Sequence, residues 1–181
     1  MWWLLIPITF LWWWSARGGM TVGQSTIPQL PGAAGIVQTA GLMKSMINEA
    51  MIDPLIRKQA VMATQGCERR DFKSKAVAIG EWTRRRIKYV PDPLGHEHLT
   101  NPSVIAKAIE QGKVVYGDCD DMTMYVGALG KSIGLPATLQ VVGRNKHFHH
   151  VYVDVAGVPI DATVSFGTQP FDAKRRITLE V

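Results

Sequence analysis

The sequence predicts an α+β domain in which helices come first and an antiparallel sheet follows. Three observations carry this. Between Ile36 and Ile133 successive runs place apolar residues three and four apart, the spacing of one helix face. After Pro136 the runs "TLQVVG", "HHVYVDV" and "VPIDATV" are rich in β-branched and aromatic residues, with Ala156-Gly157 as a two-residue hairpin loop between the last two. Finally, 181 residues at 46% hydrophobic and 19% charged make a globular chain with enough material for one core.

The chain divides into a Trp-rich hydrophobic arm (1–17), a Gly/Pro-rich linker (18–35) and a domain (36–181). The arm, "MWWLLIPITFLWWWSA" and Arg17, carries five of the six tryptophans and no charge before Arg17. As a helix its apolar part, about 14 residues, reaches only ~21 Å, short of the ~30 Å hydrocarbon core, and Pro7 would disturb it. A secretory signal would begin with a basic residue and end in small ones at a cleavage site, whereas here the first basic residue, Arg17, comes after the apolar run and Trp14 stands where a small residue is wanted. Tryptophan favours interfaces, so the arm is read as a plug into a partner protein or a membrane-surface anchor, with a signal or short span as the remaining alternative.

Within the domain, Ile36, Ala40, Met43, Ile47 and Met51 mark one amphipathic helix. Asp53-Pro54 supplies an N-cap and a first-position proline for a second, running to Gly66. A third fits "DFKSKAVAIGEWTRRRIKYV", capped by Asp71. "VPDPLGHEHLTNP", Val90 to Pro102, reads as a loop, and its His96 and His98 lack a second metal-ligand pair at a usual spacing. Asn101-Pro102 starts a short fourth helix that ends at Gly112. Met122, Val126, Leu129 and Ile133 define a fifth, stopped by "GLP".

The net charge of +5 lies mostly in short clusters such as "TRRRIK", which read as a solvated helix face, and no aromatic-interleaved basic stripe points to a nucleic-acid partner. Cys67 and Cys119 do not make a disulfide framework. Cys119 is the more informative of the two because it stands among Asp118, Asp120 and Asp121 at the start of the fifth helix. Asp118 is a natural N-cap, and Asp121 three residues on completes a capping-box-like pair. In the first turn a thiol pKa is lowered by unpaired N–H groups, an effect partly offset here by the carboxylates, so an imidazole partner is needed.

His147, His149 and His150 compete for that part. If Ala156-Gly157 is the turn, Val155 faces Val158, Tyr152 faces Asp161 and His150 faces Thr163. His150, Tyr152 and Asp161 then share one sheet face, with Asp161 diagonal to His150 at ~7–8 Å between backbones, a span side chains bridge. The result is a Cys119, His150, Asp161 constellation.

"GDCDDMTMYVGALGKSIGLPA", "HHVYVDV" and "PIDATV" together resemble the transglutaminase-like core of the papain-like cysteine enzymes. In that family a G-x-C opens the central helix, a "GIPA"-type turn ends it, and an "HxWxEV"-type strand precedes a "D-P/A-T" strand. "RRRIKYVPDPLGHEHLTNP" is similar to the segment before the cysteine in transglutaminase-like proteins of tailed bacteriophages. The resemblance covers Asp71 to about Val164 and departs from the pattern at Tyr152, where many relatives have tryptophan.

The resemblance implies helices packed on an antiparallel papain-like sheet and acyl chemistry: Cys119 as nucleophile, His150 as base, Asp161 as orienting carboxylate. No cofactor or metal is implied. The substrate would be an amide or peptide bond, bacterial cell-wall peptide among the options, with water or an amine as acceptor. The same resemblance suggests residence in a virion, in the tail or its tip, with the arm of 1–17 docked into a neighbouring subunit or touching a membrane. An inactive structural tail protein is the alternative. A hard cation held by Asp118, Asp120, Asp121 and histidines is a lesser one, since helix capping already employs two of the aspartates.

Overall fold

The structure is a computed structural model that describes residues 24–27, 33–93, 97–144, 147–165 and 175–181. The Trp-rich arm and His96 lie outside them. Among the described residues no helix is long and apolar enough to cross a membrane.

Among the described residues five helices form where the apolar spacing expects them, four of them behind a capping residue. Helix α1 spans Ala33–Ala50, α2 Pro54–Ala63, α3 Phe72–Arg86, α4 Pro102–Glu110 and α5 Cys119–Ser132. Asp53, Asp71 and Asn101 cap the second, third and fourth, accepting hydrogen bonds from the N–H groups of Leu55, Ser74 and Ser103 at 2.8–2.9 Å. Helix α5 is buried along nearly all its length and is the axis of the core. Gln59 of α2 donates to the carbonyl of Ala106 of α4 at 2.8 Å and accepts from the Tyr125 hydroxyl of α5, which ties three helices together in the interior.

The main sheet is antiparallel in the order β7-β6-β5-β8, from strands β5 Ala137–Arg144, β6 His147–Val155, β7 Val158–Ile160 and β8 Arg175–Glu180. Val151, Val153 and Val155 of β6 are buried in the core that α5 completes. Thr123 Oγ1 of α5 donates to the Val151 carbonyl at 3.1 Å, while Gly130 packs on Val155. Helix and strand therefore run side by side in the same direction, with their first residues at the same end.

The β6–β7 hairpin has the register expected of it: Val155 pairs with Val158, Asp154 with Pro159 and Val153 with Ile160. Ala156 (φ 52°) and Gly157 (φ 75°) both take left-handed backbone, the condition for a turn whose twist matches the strands. A bulge follows upstream, where Val142 faces His150 but Gly143 faces Phe148, so His149 is the extra residue.

Several expectations are corrected. The linker of 18–35 contains strand β1, Gln24–Ile27, and the first helix begins at Ala33. The third helix stops at Arg86, and Ile87–Tyr89 is strand β2, paired in parallel with β4, Val115–Gly117. The loop from Val90 to Pro102 contains β3, Glu97–Thr100, antiparallel to β1, so His98 is a strand residue. These pieces pair over long sequence separations, which local spacing does not reveal.

Candidate active site

Cys119 is the first residue of α5, and Asp118 is its N-cap, accepting from the N–H groups of Asp120 (3.0 Å) and Asp121 (3.3 Å). The expected reciprocal bond from Asp121 is replaced by another. Its carboxylate accepts from the Thr100 N–H at 2.7 Å and contacts Thr100 Oγ1 at 3.4 Å, which fastens β3 to the first turn of α5.

The Cys119 thiol donates to Asp120 Oδ1 at 3.5 Å, and the Val151 N–H of β6 is directed at the sulfur. Thus the nucleophile candidate meets β6 one residue from His150. His150 Nε2 lies 2.6 Å from Asp161 Oδ2, both side chains mostly shielded from solvent. Asp161 Oδ1 accepts from Thr163 Oγ1 at 2.6 Å and from the Thr163 N–H at 3.1 Å. Burial pushes the Asp161 carboxyl up, but the bonds from His150 and Thr163 outweigh it, so the group sits below its ordinary value and stays ionised beside the imidazole.

The side chains of His147 and His149 lie outside the described residues. Tyr152, on the same face of β6 as His150, is fully buried.

The thiol departs from expectation. Burial, then the neighbouring carboxyls of Asp120 and Asp118, push its pKa well above the ordinary value, and the Val151 N–H offsets only part of this. The lowering expected from the helix start is overturned because the site is shielded from water and anionic.

Three contributors escaped the sequence reading. Asp92 accepts from the His98 N–H at 2.5 Å and brings negative charge to Asp118 and Asp121. Glu97 is hydrogen-bonded to the Asp120 carboxyl. Burial, then Asp92, raises Asp118 to about 6, while burial, then Asp118, raises Asp121 to about 8. Burial, then the bond to Glu97, raises Asp120 well above the carboxylate range. The third is Tyr89 of β2, whose hydroxyl is near enough to Cys119 for charge there to act on it. The acidic pair in "DPLGHE" was the only signal for the first two, and Tyr89 was hidden by the helical spacing that ran on through Ile87.

One ligand atom each from Asp118, Cys119 and Asp120 lie within 4.8 Å of one another. Hard cations favour carboxylates and soft ones favour thiolates, so this mixed set matches no particular ion.

Taken as chemistry, the arrangement offers a half-buried neutral thiol at a helix N-terminus and an imidazole whose Nε2 is committed to an ionised carboxylate. No family model matches the chain, and no curated protein or solved structure matches it either.

Proposed function

We propose that the chain is a transglutaminase-like cysteine hydrolase or acyltransferase acting on an amide or peptide bond. Cys119 is its nucleophile, His150 its base and Asp161 the carboxylate that orients the base. The observation that carries this is the 2.6 Å contact between His150 Nε2 and Asp161 Oδ2. It commits Nε2 as the protonated nitrogen, which makes Nδ1 the basic nitrogen of the neutral ring. The transglutaminase-like form of the α+β fold is supported by a central helix that opens with the cysteine and packs along the strand carrying the histidine.

Because the thiol is held neutral, proton transfer accompanies attack instead of preceding it. Sγ bonds to the carbonyl carbon as its proton passes to Nδ1, and the carbonyl oxygen becomes an oxyanion. The Asp118 cap occupies the N–H groups of Asp120 and Asp121. The N–H of Cys119, at the first helical position, is the group an oxyanion would meet. The imidazolium then protonates the departing amine, the C–N bond breaks and a thioester remains. Water releases the acid, or an amine forms a new amide, and the sulfur regains a proton. The phage resemblance suggests a virion tail protein whose arm, 1–17, engages a neighbouring subunit or a membrane surface, with cell-wall peptide as substrate.

The test is acylation by p-nitrophenyl acetate in a Cys67→Ser background. Acetyl addition to Cys119, abolished by Cys119→Ala and slowed about 10²-fold or more by His150→Ala, supports the chemistry. No acetyl on Cys119 at any pH would overturn it. A structural tail protein on the same fold is the second proposal, favoured by the raised thiol. It requires that Cys119→Ala leave particle assembly intact and that deletion of 1–14 abolish incorporation.

A further inference from the structure

We infer that Tyr89 is a substrate-facing catalytic residue, its phenolic O–H donating a hydrogen bond to the substrate carbonyl oxygen as negative charge develops there. This rests on the acyl-transfer chemistry proposed above and supplies a second donor beside the Cys119 N–H.

The geometry comes from the small parallel pair. In β2–β4, Tyr89 stands opposite Gly117, two residues before Cys119, and the Val90 N–H donates to the Gly117 carbonyl at 2.9 Å. Paired residues project to the same side of a sheet. Gly117 faces the first turn of α5 so closely that a Cβ there would lie 2.8 Å from Asp121 Cβ. Tyr89 projects to that same side, where α5 begins. Ile87, two residues earlier on this face, is buried in the core, whereas Tyr89 is 52% exposed. The ring therefore passes the edge of the core and reaches solvent near the first turn of α5, the turn that Cys119 opens.

Electrostatics agree. The part of Tyr89 that is buried raises its hydroxyl pKa, and the acidic groups of Cys119, Asp118, Asp120 and Asp161 raise it further whenever they are ionised. The phenol thus senses the sulfur and the carboxylate that orients His150, and it stays protonated. A neutral O–H donor suits this place, since the ionised Asp161 carboxylate opposes an oxyanion and a donor offsets it.

The experiment compares wild type and Tyr89→Phe, both with Cys67→Ser, in two reactions of Cys119. Acylation by p-nitrophenyl acetate passes through an oxyanion, whereas alkylation by iodoacetamide is a direct displacement and does not. Tyr89→Phe should slow acylation by about 10²-fold and leave the alkylation rate and its pH profile unchanged. The ring is retained, so folding is preserved. Equal acylation rates in the two proteins would overturn the inference, as would a parallel fall in both reactions. If wild-type Cys119 is alkylated but never acylated, the acyl-transfer chemistry itself fails, a separate result from an unaffected Tyr89→Phe.

Discussion

His150 Nε2 and Asp161 Oδ2 meet at 2.6 Å across an eleven-residue separation because a two-residue turn fixes the register between their strands. The paired register ends with Val153 opposite Ile160, and Asp161 is the next residue along, just beyond the end of β7. One residue more in the turn would place the carboxylate on the opposite face. The candidate base is therefore oriented by backbone geometry before any side chain chooses a rotamer.

Asp161→Asn tests that contact. An asparagine amide donates to Nε2, which drives the imidazole proton onto Nδ1 and removes the acceptor for the thiol proton. Acylation of Cys119 should fall by roughly 10²- to 10⁴-fold. The folded pKa of Asp161 is lowered, so its stabilisation is complete above the unfolded value of about 3.9 and is lost as pH falls through the lower folded value. Urea unfolding should show the variant less stable at pH 7 and the gap closing below about pH 3.5. A gap unchanged at acid pH would mean that the carboxylate is not held ionised by His150.

Asp121 has the opposite linkage. Its carboxyl is raised to about 8 by burial and then by Asp118, so the folded protein keeps a proton that the unfolded chain has released from about pH 4 upward. Stability should decline as pH rises from about 4 to about 8, because the unfolded state binds fewer protons in that window. Asp121→Asn retains an acceptor for the Thr100 N–H and removes the titration. We expect its urea midpoint to exceed that of wild type at pH 8 and to vary less across the window. Parallel pH profiles for the two proteins would assign the decline to other groups.

How much of this was legible depended on range. The Asp118 cap, the hairpin turn and the identity of the histidine bonded by Asp161 are local features, set by residues within about a dozen positions. Strands β2 and β4 were not legible: each is three residues long, they pair across 28 positions, and Ile87 prolongs a helical pattern that ends at Arg86. The acidic surroundings of Cys119 were half visible. Asp118, Asp120 and Asp121 stand beside it in sequence, whereas Asp92 and Glu97 arrive through the fold. Burial is what turned a thiol expected to be activated into one held neutral. A sequence shows neighbouring charges but not the loss of solvent that decides their weight.

Ala156 occupies left-handed backbone at φ 52°, where a side chain with a Cβ is strained. Asparagine tolerates that conformation, and Asn-Gly is the preferred pair for this turn. Ala156→Asn should stabilise the protein by about 0.5–1 kcal/mol, seen as a higher urea midpoint at unchanged slope. Acylation by p-nitrophenyl acetate should be unaffected, since the hairpin register is kept. A lower midpoint would show that the strain at Ala156 is offset by a contact asparagine cannot make.

Asp120 accepts from the Cys119 thiol at 3.5 Å, and its charge is the largest opposing influence on thiolate formation after burial. When the thiol ionises, in the alkaline range, a carboxylate at this distance repels the new charge. Asp120→Asn removes the repulsion and leaves an amide that donates to the thiolate. Iodoacetamide alkylation of Cys119, followed in the Cys67→Ser background, should therefore shift to lower pH in Asp120→Asn. At pH 8 it should run about 10-fold faster, the effect of one unit in thiol pKa. Acylation need not follow, because a more stable thiolate is also a weaker nucleophile and the proton transfer to His150 would no longer accompany attack. Slower alkylation in the variant would instead make Asp120 an aid to the thiolate, which would require the carboxyl to remain protonated through the Glu97 contact as the sulfur ionises.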